Sequence, residues 1–362
     1  MAVTHERRRA RLRSLLAERG LDGLLVTSLV NVRYLTGFVG SNAGLLVGAS
    51  GEVDVLATDS RYAEAAAAAC PDVELLVERD TGPALAALAE RRRLTALGYE
   101  SHELTVDGYR AVEGAAPGLD LRRSDRAVEA LRAVKDAAEL ASLRAACAVA
   151  DAAFADLLPT IRPGVTERTL AADLESRMRR HGSEAPSFDT IVAAGEHSAV
   201  PHHRPTGRPV GLGDLVKIDF GAVIDGYHSD MTRTVVLGEP AGWQRDVYDL
   251  VASAQQAGVD AVTDGIATAL VDRAARRVVE AAGMGEQFIH GLGHGVGLEI
   301  HEAPALGTGS SGTLARDMVV TVEPGVYLPG QGGVRIEDTL VVAAPGEPAE
   351  RLTLTTRDLL VL

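Results

Sequence analysis

The stretch from Lys217 to Thr234 reads KIDFGAVIDGYHSDMTRT, and it predicts a β-hairpin. Apolar residues favour a first strand from about residue 215, glycines and an Asp-Gly pair favour turns, and a second strand is predicted from about 231 to 237. Because side chains alternate between the faces of a strand, Asp219 and Asp230 converge if the two strands pair. Close carboxylates repel each other unless one takes up a proton or a cation lies between them. The stretch therefore predicts a divalent metal site, and the alternative is a polar hairpin with two solvated aspartates.

A second pair of acidic strands follows near the end of the chain. Residues 317–323 read DMVVTVE and predict a strand that ends in Glu323, with a Pro-Gly turn after it. Residues 334–338 read VRIED and predict the returning strand, which carries Glu337. The repetition indicates two related halves, each of which offers a carboxylate pair to one shared site.

Histidines are concentrated in the same part of the chain, since seven of the ten lie between residues 197 and 301. Residues 288–302 read FIHGLGHGVGLEIHE, and their glycines favour a loop or strand over the helix of a zinc protease. His202 and His203 lie in a loop bounded by prolines, where they are either functional or simply solvated. Adding His294 to the four carboxylates gives an oxygen-rich ligand set with one nitrogen. That set suits two divalent ions, with Mn²⁺ expected and Co²⁺ or Zn²⁺ as alternatives.

Composition narrows the classes of function. The chain has 362 residues and a net charge of −14, which argues against general nucleic-acid binding and against attraction to anionic membranes. No signal peptide and no long apolar run are present, so a cytoplasmic protein without a membrane span is expected. Cys70 and Cys147 are too few for a disulfide framework. Lysine occurs only at Lys135 and Lys217, and the other basic residues are arginines.

The pattern of elements predicts an α/β (α+β) protein of two domains, with the boundary placed near residue 125. In the first domain, residues 1–125, short strands alternate with helices, which is typical of a small α/β domain. The second domain, residues 126–362, holds the acidic strands and the clustered histidines. The predicted helices are 4–19, 61–70, 82–93, a long region at 127–158, one from about 166 to 181, and two within 242–282. The predicted strands of the first domain are 24–27, 45–47, 53–58, 73–77 and 95–99.

Four segments, in chain order, resemble the pita-bread metallopeptidases: prolidase, aminopeptidase P and methionine aminopeptidase. They are KIDFGAVIDGYHSDMTRT, GLGHGVGLEIHEAP, VEPGVY and GGVRIED. The segments NVRYLTGFVGS and TDSRY resemble the Xaa-Pro peptidase branch of this family. The resemblance implies a small creatinase/prolidase-like N-terminal domain followed by a pita-bread (creatinase/aminopeptidase-like) catalytic domain.

The resemblance also implies a role for each site residue. Asp219 is expected to chelate one metal ion, Asp230 and Glu337 to bridge two ions, and His294 and Glu323 to bind the second ion. Glu323 is further expected to shuttle a proton. His202 is expected to lie over the substrate, and His301 is expected to contact the scissile carbonyl and its oxyanion. His290 is expected in the pocket wall, and Arg335 is expected to support the bridging glutamate.

The activity that the resemblance implies is hydrolysis of the bond between an N-terminal residue and proline, in short proline-containing peptides. The sequence leaves open whether the enzyme is an Xaa-Pro dipeptidase or an aminopeptidase P, and Arg33, Arg61 and Arg204 are candidates for the group that would favour the dipeptidase. The alternatives are a methionine aminopeptidase-like activity, a creatinase-like amidinohydrolase, which lacks the metal set, and a non-catalytic binding module, which predicts eroded ligands. A homodimer is expected from the family.

Overall fold

The computed structural model describes the backbone of residues 2–362 and the side chains of residues 4–362. These residues form two compact units, one up to Arg132 and the other from Ala133 to Leu362. Each unit has its own buried apolar cluster. None of the helices in this described part of the chain combines the length and the apolar content that a bilayer crossing requires.

The N-terminal unit is built on a six-stranded mixed sheet with the strand order β4-β3-β2-β1-β5-β6. Its strands are β1 (Gly23–Val26), β2 (Gly44–Gly48), β3 (Asp54–Thr58), β4 (Glu74–Val77), β5 (Ala96–Tyr99) and β6 (Asp120–Arg123). Its helices are α1 (Ala2–Glu18), α2 (Leu29–Thr36), α3 (Ala63–Ala69), α4 (Thr81–Arg91) and α5 (Val106–Ala115), with α6 (Ala127–Ala133) at its end. The predicted helices and strands of this region are found within a few residues of their expected bounds.

Helix α2 is a difference from the sequence expectation, which gave no helix there. Half of its eight residues, LVNVRYLT, are β-branched or aromatic and so have weak helix propensity. The helix nevertheless buries Val32, Tyr34 and Leu35, and it ends at Gly37 with a φ of 78°. Burial of this apolar face outweighs local propensity, and the left-handed glycine supplies the stop.

The C-terminal unit contains two halves of similar make-up, each with two helices and an antiparallel sheet. The first half has α7 (Ala137–Leu157), α8 (Glu167–Arg180), β7 (Ile191–Ala194), β8 (Leu215–Phe220), β9 (Val223–Ile224), β10 (Tyr227–His228) and β11 (Met231–Val236). The second half has α9 (Gly242–Ala261), α10 (Thr268–Ala281), β12 (Gly293–Gly295), β13 (Glu302–Leu306), β14 (Val319–Val322), β15 (Gly325–Leu328), β16 (Gly332–Arg335), β17 (Asp338–Val341) and β18 (Glu350–Arg351). The sheet orders are β11-β8-β7 and β13-β12-β14-β17-β18.

The first predicted hairpin forms as expected, with β8 antiparallel to β11 and Asp219 opposite Thr232. The backbone at Gly221 passes so close to the returning chain that a β-carbon there would lie 1.8 Å from the Ser229 carbonyl oxygen. Only glycine fits such an approach. The tight crossing carries Asp230 to the end of β11 that lies beside Asp219.

The second acidic segment is more elaborate than a simple hairpin. Strand β14 pairs with β17, and the chain between them folds into a separate hairpin of β15 and β16. Glu323 directly follows β14 and Glu337 directly precedes β17, so the end of one strand pair carries both acids. The interruption accounts for the longer spacing between the two acids in this half.

Candidate active site

The four acidic residues singled out from the sequence lie at strand ends, and the structure brings them together with His294. One oxygen each of Asp230 and Glu337 and one nitrogen of His294 lie within 4.8 Å of one another. The His294 Nε2 atom is 3.5 Å from Asp230 and 3.4 Å from Glu323. The other ring nitrogen, Nδ1, is 3.1 Å from the carbonyl oxygen of Gly295, so Nδ1 carries the proton and Nε2 keeps a free lone pair toward the carboxylates.

Arg335 and Thr232 fix the carboxylates from behind. The Arg335 guanidinium donates to Asp219 through Nη2 and, at 3.0 Å, to the Thr232 hydroxyl through Nε. The Thr232 hydroxyl then donates to Glu337 Oε2 at 2.7 Å. Arg335 thus contacts Asp219 directly and reaches Glu337 through Thr232. A fixed, buried fork of donors sets the angle at which both carboxylates face the site.

Burial and the closeness of like charges shift the pKa values of the clustered groups. Burial, followed by the charge of Glu337, raises the pKa of Asp230 well above its ordinary value. Burial likewise raises the pKa of Glu337 well above its usual range and that of Glu323 to about 8. Burial lowers the pKa of His294 to about 4, so its imidazole is neutral and available as a ligand.

Two buried oxygen atoms give a direct test of whether these residues fit a metal ion. Asp219 Oδ1 and Glu337 Oε1 have no hydrogen-bond partner, although their side chains are otherwise held by Arg335 and Thr232. Buried carboxylate oxygens are costly when they are left without a donor or a cation. Their position among other carboxylates and one imidazole matches the donor set that divalent cations of intermediate hardness take. The residues therefore fit divalent metal ions.

A cavity of about 440 Å³ opens over the cluster, and the remaining histidines predicted for the site line it. The rings of His294 and His301 are 4.4 Å apart between centroids. Burial, then the Arg335 charge, lowers the pKa of His202. Besides His202, His290 and His301, the lining includes all five candidate metal ligands, Arg335, and the apolar side chains of Phe188, Ile191 and Ile300.

His290 is held by a hydrogen-bond chain that begins at Arg335. Arg335 Nη1 donates to the Tyr327 hydroxyl at 2.8 Å, and that hydroxyl lies 2.9 Å from His290 Nε2. His290 Nδ1 is 2.7 Å from the Gly291 carbonyl oxygen. The Tyr327 hydroxyl therefore donates to Nε2 while Nδ1–H donates to the carbonyl, and burial lowers the pKa of His290 to about 4. A neutral ring with both nitrogens occupied makes a firm cavity wall.

Two residues near the site were not assigned roles from the sequence, Tyr327 and Lys217. Tyr327 belongs to the segment VEPGVY, whose resemblance to the family was noted, so a signal was present. Lys217 opens the segment KIDFGAVIDGYHSDMTRT, which also carries the resemblance, but strand alternation places it on the face of Asp219 without showing what it contacts. His203 and His228 lie outside the metal cluster: His203 is 3.0 Å from Glu167, and His228 is 3.2 Å from the Ser187 carbonyl oxygen.

Comparison with known proteins identifies the class. Residues 141–344 match metallopeptidase family M24, and residues 8–134 match the creatinase/prolidase N-terminal domain. The chain belongs to metallopeptidase family M24. This confirms the predicted fold, a small α/β N-terminal domain with a pita-bread catalytic domain, and the prediction of a metallopeptidase.

Individual relatives extend over the whole chain. An uncharacterized peptidase, YqhT, of Bacillus subtilis is 39% identical over 356 residues, covering 97% of this chain and 99% of the relative. The solved structure of an Xaa-Pro dipeptidase from Bacillus anthracis is 38% identical with a TM-score of 0.94, covering 99% of this chain and 100% of that one. The X-Pro aminopeptidase structure from Thermotoga maritima is 34% identical with a TM-score of 0.88, covering 96% and 99%.

Proposed function

We propose that this protein is a metal-dependent Xaa-Pro peptidase, and that it acts as an Xaa-Pro dipeptidase. The observation that carries the proposal is the complete set of four carboxylates and His294 around one cavity that four further histidines line. Eroded ligands, which a non-catalytic relative would have, are not found at any of the five positions. The likeness to an Xaa-Pro dipeptidase over nearly the full length supports the substrate class.

We assign the ligand roles as the family pattern implies. Asp219 would chelate one ion, Asp230 and Glu337 would bridge two, and His294 and Glu323 would complete the second. We expect two Mn²⁺ ions, because the set is rich in carboxylate oxygen and contains a single imidazole. When bound, such ions activate water at neutral pH and polarise the substrate carbonyl.

The chain's own groups would manage the proton and the developing charge. Glu323 lines the cavity beside His294, where its carboxylate would take a proton from the attacking water and pass it to the leaving proline nitrogen. His202 and His301 line the cavity and would donate hydrogen bonds to the carbonyl oxygen as it becomes an oxyanion. Arg335 would keep Asp219 and Glu337 at a fixed angle throughout.

The proposed substrate fits the cavity wall. A bond before proline has no N–H, and the ring fixes the backbone torsion, so recognition depends on shape more than on hydrogen bonding. His290 has both nitrogens engaged and presents a ring held by Tyr327 and Gly291. Such a wall suits the compact, apolar proline ring.

Two further proposals concern the state of the protein. We propose a homodimer, as the family implies, and action in the cytoplasm. Cys70 and Cys147 are both free and buried, which supports a reducing compartment.

The test is release of free proline or of the N-terminal residue by Mn²⁺-loaded protein from two matched peptides, Xaa-Pro and Xaa-Pro-Yaa. A dipeptidase cleaves the first and leaves the second nearly intact, whereas an aminopeptidase P cleaves the second. Protein stripped of metal by a chelator is the control and should be inactive until Mn²⁺ is returned. Cleavage of neither peptide by the loaded protein would end the peptidase proposal.

A further inference from the structure

The loop that carries His202, residues 195–206, is attached to the rest of the C-terminal unit by two buried groups of opposite charge. One of them is Lys217, whose side chain is fully buried. Its ammonium group donates to the carbonyl oxygens of Ser198, Val200 and Pro201 at 3.1, 2.6 and 3.2 Å. An ammonium group has three N–H donors. All three are therefore used on the loop, in the residues immediately before His202.

The other group is Glu167, at the first position of α8, which is also fully buried. It accepts hydrogen bonds from the part of the loop that follows His202: His203 Nε2 at 3.0 Å, and the Thr206 amide and hydroxyl at 2.9 and 2.7 Å. It also accepts from His197 Nδ1 at 2.8 Å and from the Ala194 amide at 2.9 Å.

The five hydrogen-bond donors also show whether Glu167 acts as a metal ligand or as an anchor of the loop. Glu167, His197 and His203 have ligand atoms within 4.8 Å of one another, the spacing of a small metal site. A carboxylate has about four lone-pair positions, and the five donors already occupy them. The group is thus satisfied as a hydrogen-bonded anchor of the loop, without an ion.

His202 itself lies between the two anchors. Within the described residues its ring has no hydrogen-bond partner, in contrast to His290 and His294, whose rings are each held by a carbonyl oxygen. Its place over the cavity is consequently set by the loop backbone. Arg335 adds one more bond to that backbone, from Nη1 to the Pro201 carbonyl oxygen at 3.2 Å.

We propose that Lys217 and Glu167 are positioning residues that hold His202 over the substrate cavity by clamping its loop from both sides. The choice of residue supports this. The chain uses arginine at every basic position except Lys135 and Lys217, and it keeps lysine here although a buried lysine is rare. A compact ammonium can converge on three carbonyl oxygens, whereas a planar guanidinium spreads its donors along a fork. The role of His202 in this inference rests on the proposed function, but the clamp on the loop does not.

The first test measures the loop directly, by hydrogen exchange of Mn²⁺-loaded protein, without any substrate. In Lys217→Met, amides of residues 195–206 should exchange roughly 10- to 100-fold faster, in line with the loss of a supporting partner. Lys135→Met is the matched control. Lys135 is the only other lysine and is also buried, but its ammonium lies 3.2 Å from Glu302 and does not contact this loop. Unchanged exchange in Lys217→Met, or an equal rise in the control, would overturn the proposal.

The second test is a double-mutant cycle on kcat/KM. Lys217→Met should lower kcat/KM by roughly 10- to 100-fold in the wild-type background, and by less than about threefold when His202 is already alanine. Equal losses in both backgrounds would show a general structural role and would refute positioning through His202. Glu167→Gln, which keeps the size of the side chain, provides the same cycle if Lys217→Met fails to fold. If the wild-type protein cleaves no Xaa-Pro peptide, the proposed function fails. The hydrogen-exchange experiment would still test whether Lys217 holds the loop of residues 195–206.

Discussion

Removing the metal ions should make the stability of the C-terminal unit fall as the pH rises, which is the reverse of what most carboxylates cause. Burial raises the pKa of Asp230 and of Glu337, and it raises that of Glu323 from its ordinary 4.5 to about 8. An acid whose pKa is higher in the folded state keeps its proton there at a pH at which the unfolded chain has released it. The free energy of unfolding therefore decreases with pH between the two pKa values.

The pKa of Glu323 gives the scale of this effect. Each pH unit between the unfolded and folded pKa values costs about 1.4 kcal/mol of stability. Between pH 4.5 and about 8, Glu323 should therefore remove roughly 5 kcal/mol. Below pH 4.5 Glu323 leaves the free energy of unfolding unchanged, and above about pH 8 the full loss has been reached. Since whole domains are stable by only about 5–15 kcal/mol, a loss of this size is decisive.

The assay is urea unfolding of chelator-treated protein at several pH values from 5 to 8, followed by tryptophan emission. Trp243 is the only tryptophan, and it packs against the core of the C-terminal unit, so its signal reports on the unit that holds the site. Glu323→Gln is the matched control: it has no titratable proton, so over this pH range the decline should shrink by roughly 4 kcal/mol. With Mn²⁺ in excess the decline should disappear. A free energy of unfolding that stays constant or rises across this range in metal-free protein would refute the reasoning.

Three further predictions concern the site. Glu337→Ala should lose bound metal and peptidase activity together, measured by elemental analysis and proline release, and an active variant without metal would contradict the bridging assignment. Gly221→Ala should displace the first hairpin, because its β-carbon would lie 1.8 Å from the Ser229 carbonyl oxygen. Metal affinity, measured by calorimetry, should therefore fall by roughly 10-fold or more. An affinity equal to that of the wild-type protein would contradict the argument that only glycine fits at this position. Arg335→Lys keeps the charge but not the fork that holds Asp219, so kcat/KM should fall roughly 10- to 100-fold, and an unchanged value would mean that charge alone suffices.

The parts of the fold that could be predicted from the sequence are those with a strong local pattern. The first hairpin followed from apolar strand residues and the Asp225-Gly226 turn, and its antiparallel pairing matches the expectation. The two amphipathic helices within 242–282 were expected and are found as Gly242–Ala261 and Thr268–Ala281. The convergence of Asp219 with Asp230 followed from alternation together with a tight turn.

Features that depend on distant contacts could not be predicted in this way. Half of the residues of helix α2 are weak helix formers, and burial stabilises the helix. The hairpin inserted between Glu323 and Glu337 depends on pairing that residue types do not specify. The clamp on the His202 loop joins Lys217 to carbonyl oxygens up to 19 residues away. Strand alternation gives the face on which Lys217 lies, but nothing in the sequence identifies backbone oxygens as its partners.

The burial of both lysines has a practical consequence for handling the protein. Lys135 and Lys217 are 3% and 0% exposed, so the folded surface offers no lysine amine to acylating or aldehyde reagents. Arginine supplies the surface cations and does not react with such reagents under mild conditions. Replacing one exposed arginine by lysine would therefore create a single side-chain attachment point. Coupled through that side chain, the enzyme could be tethered with its cavity facing the solution.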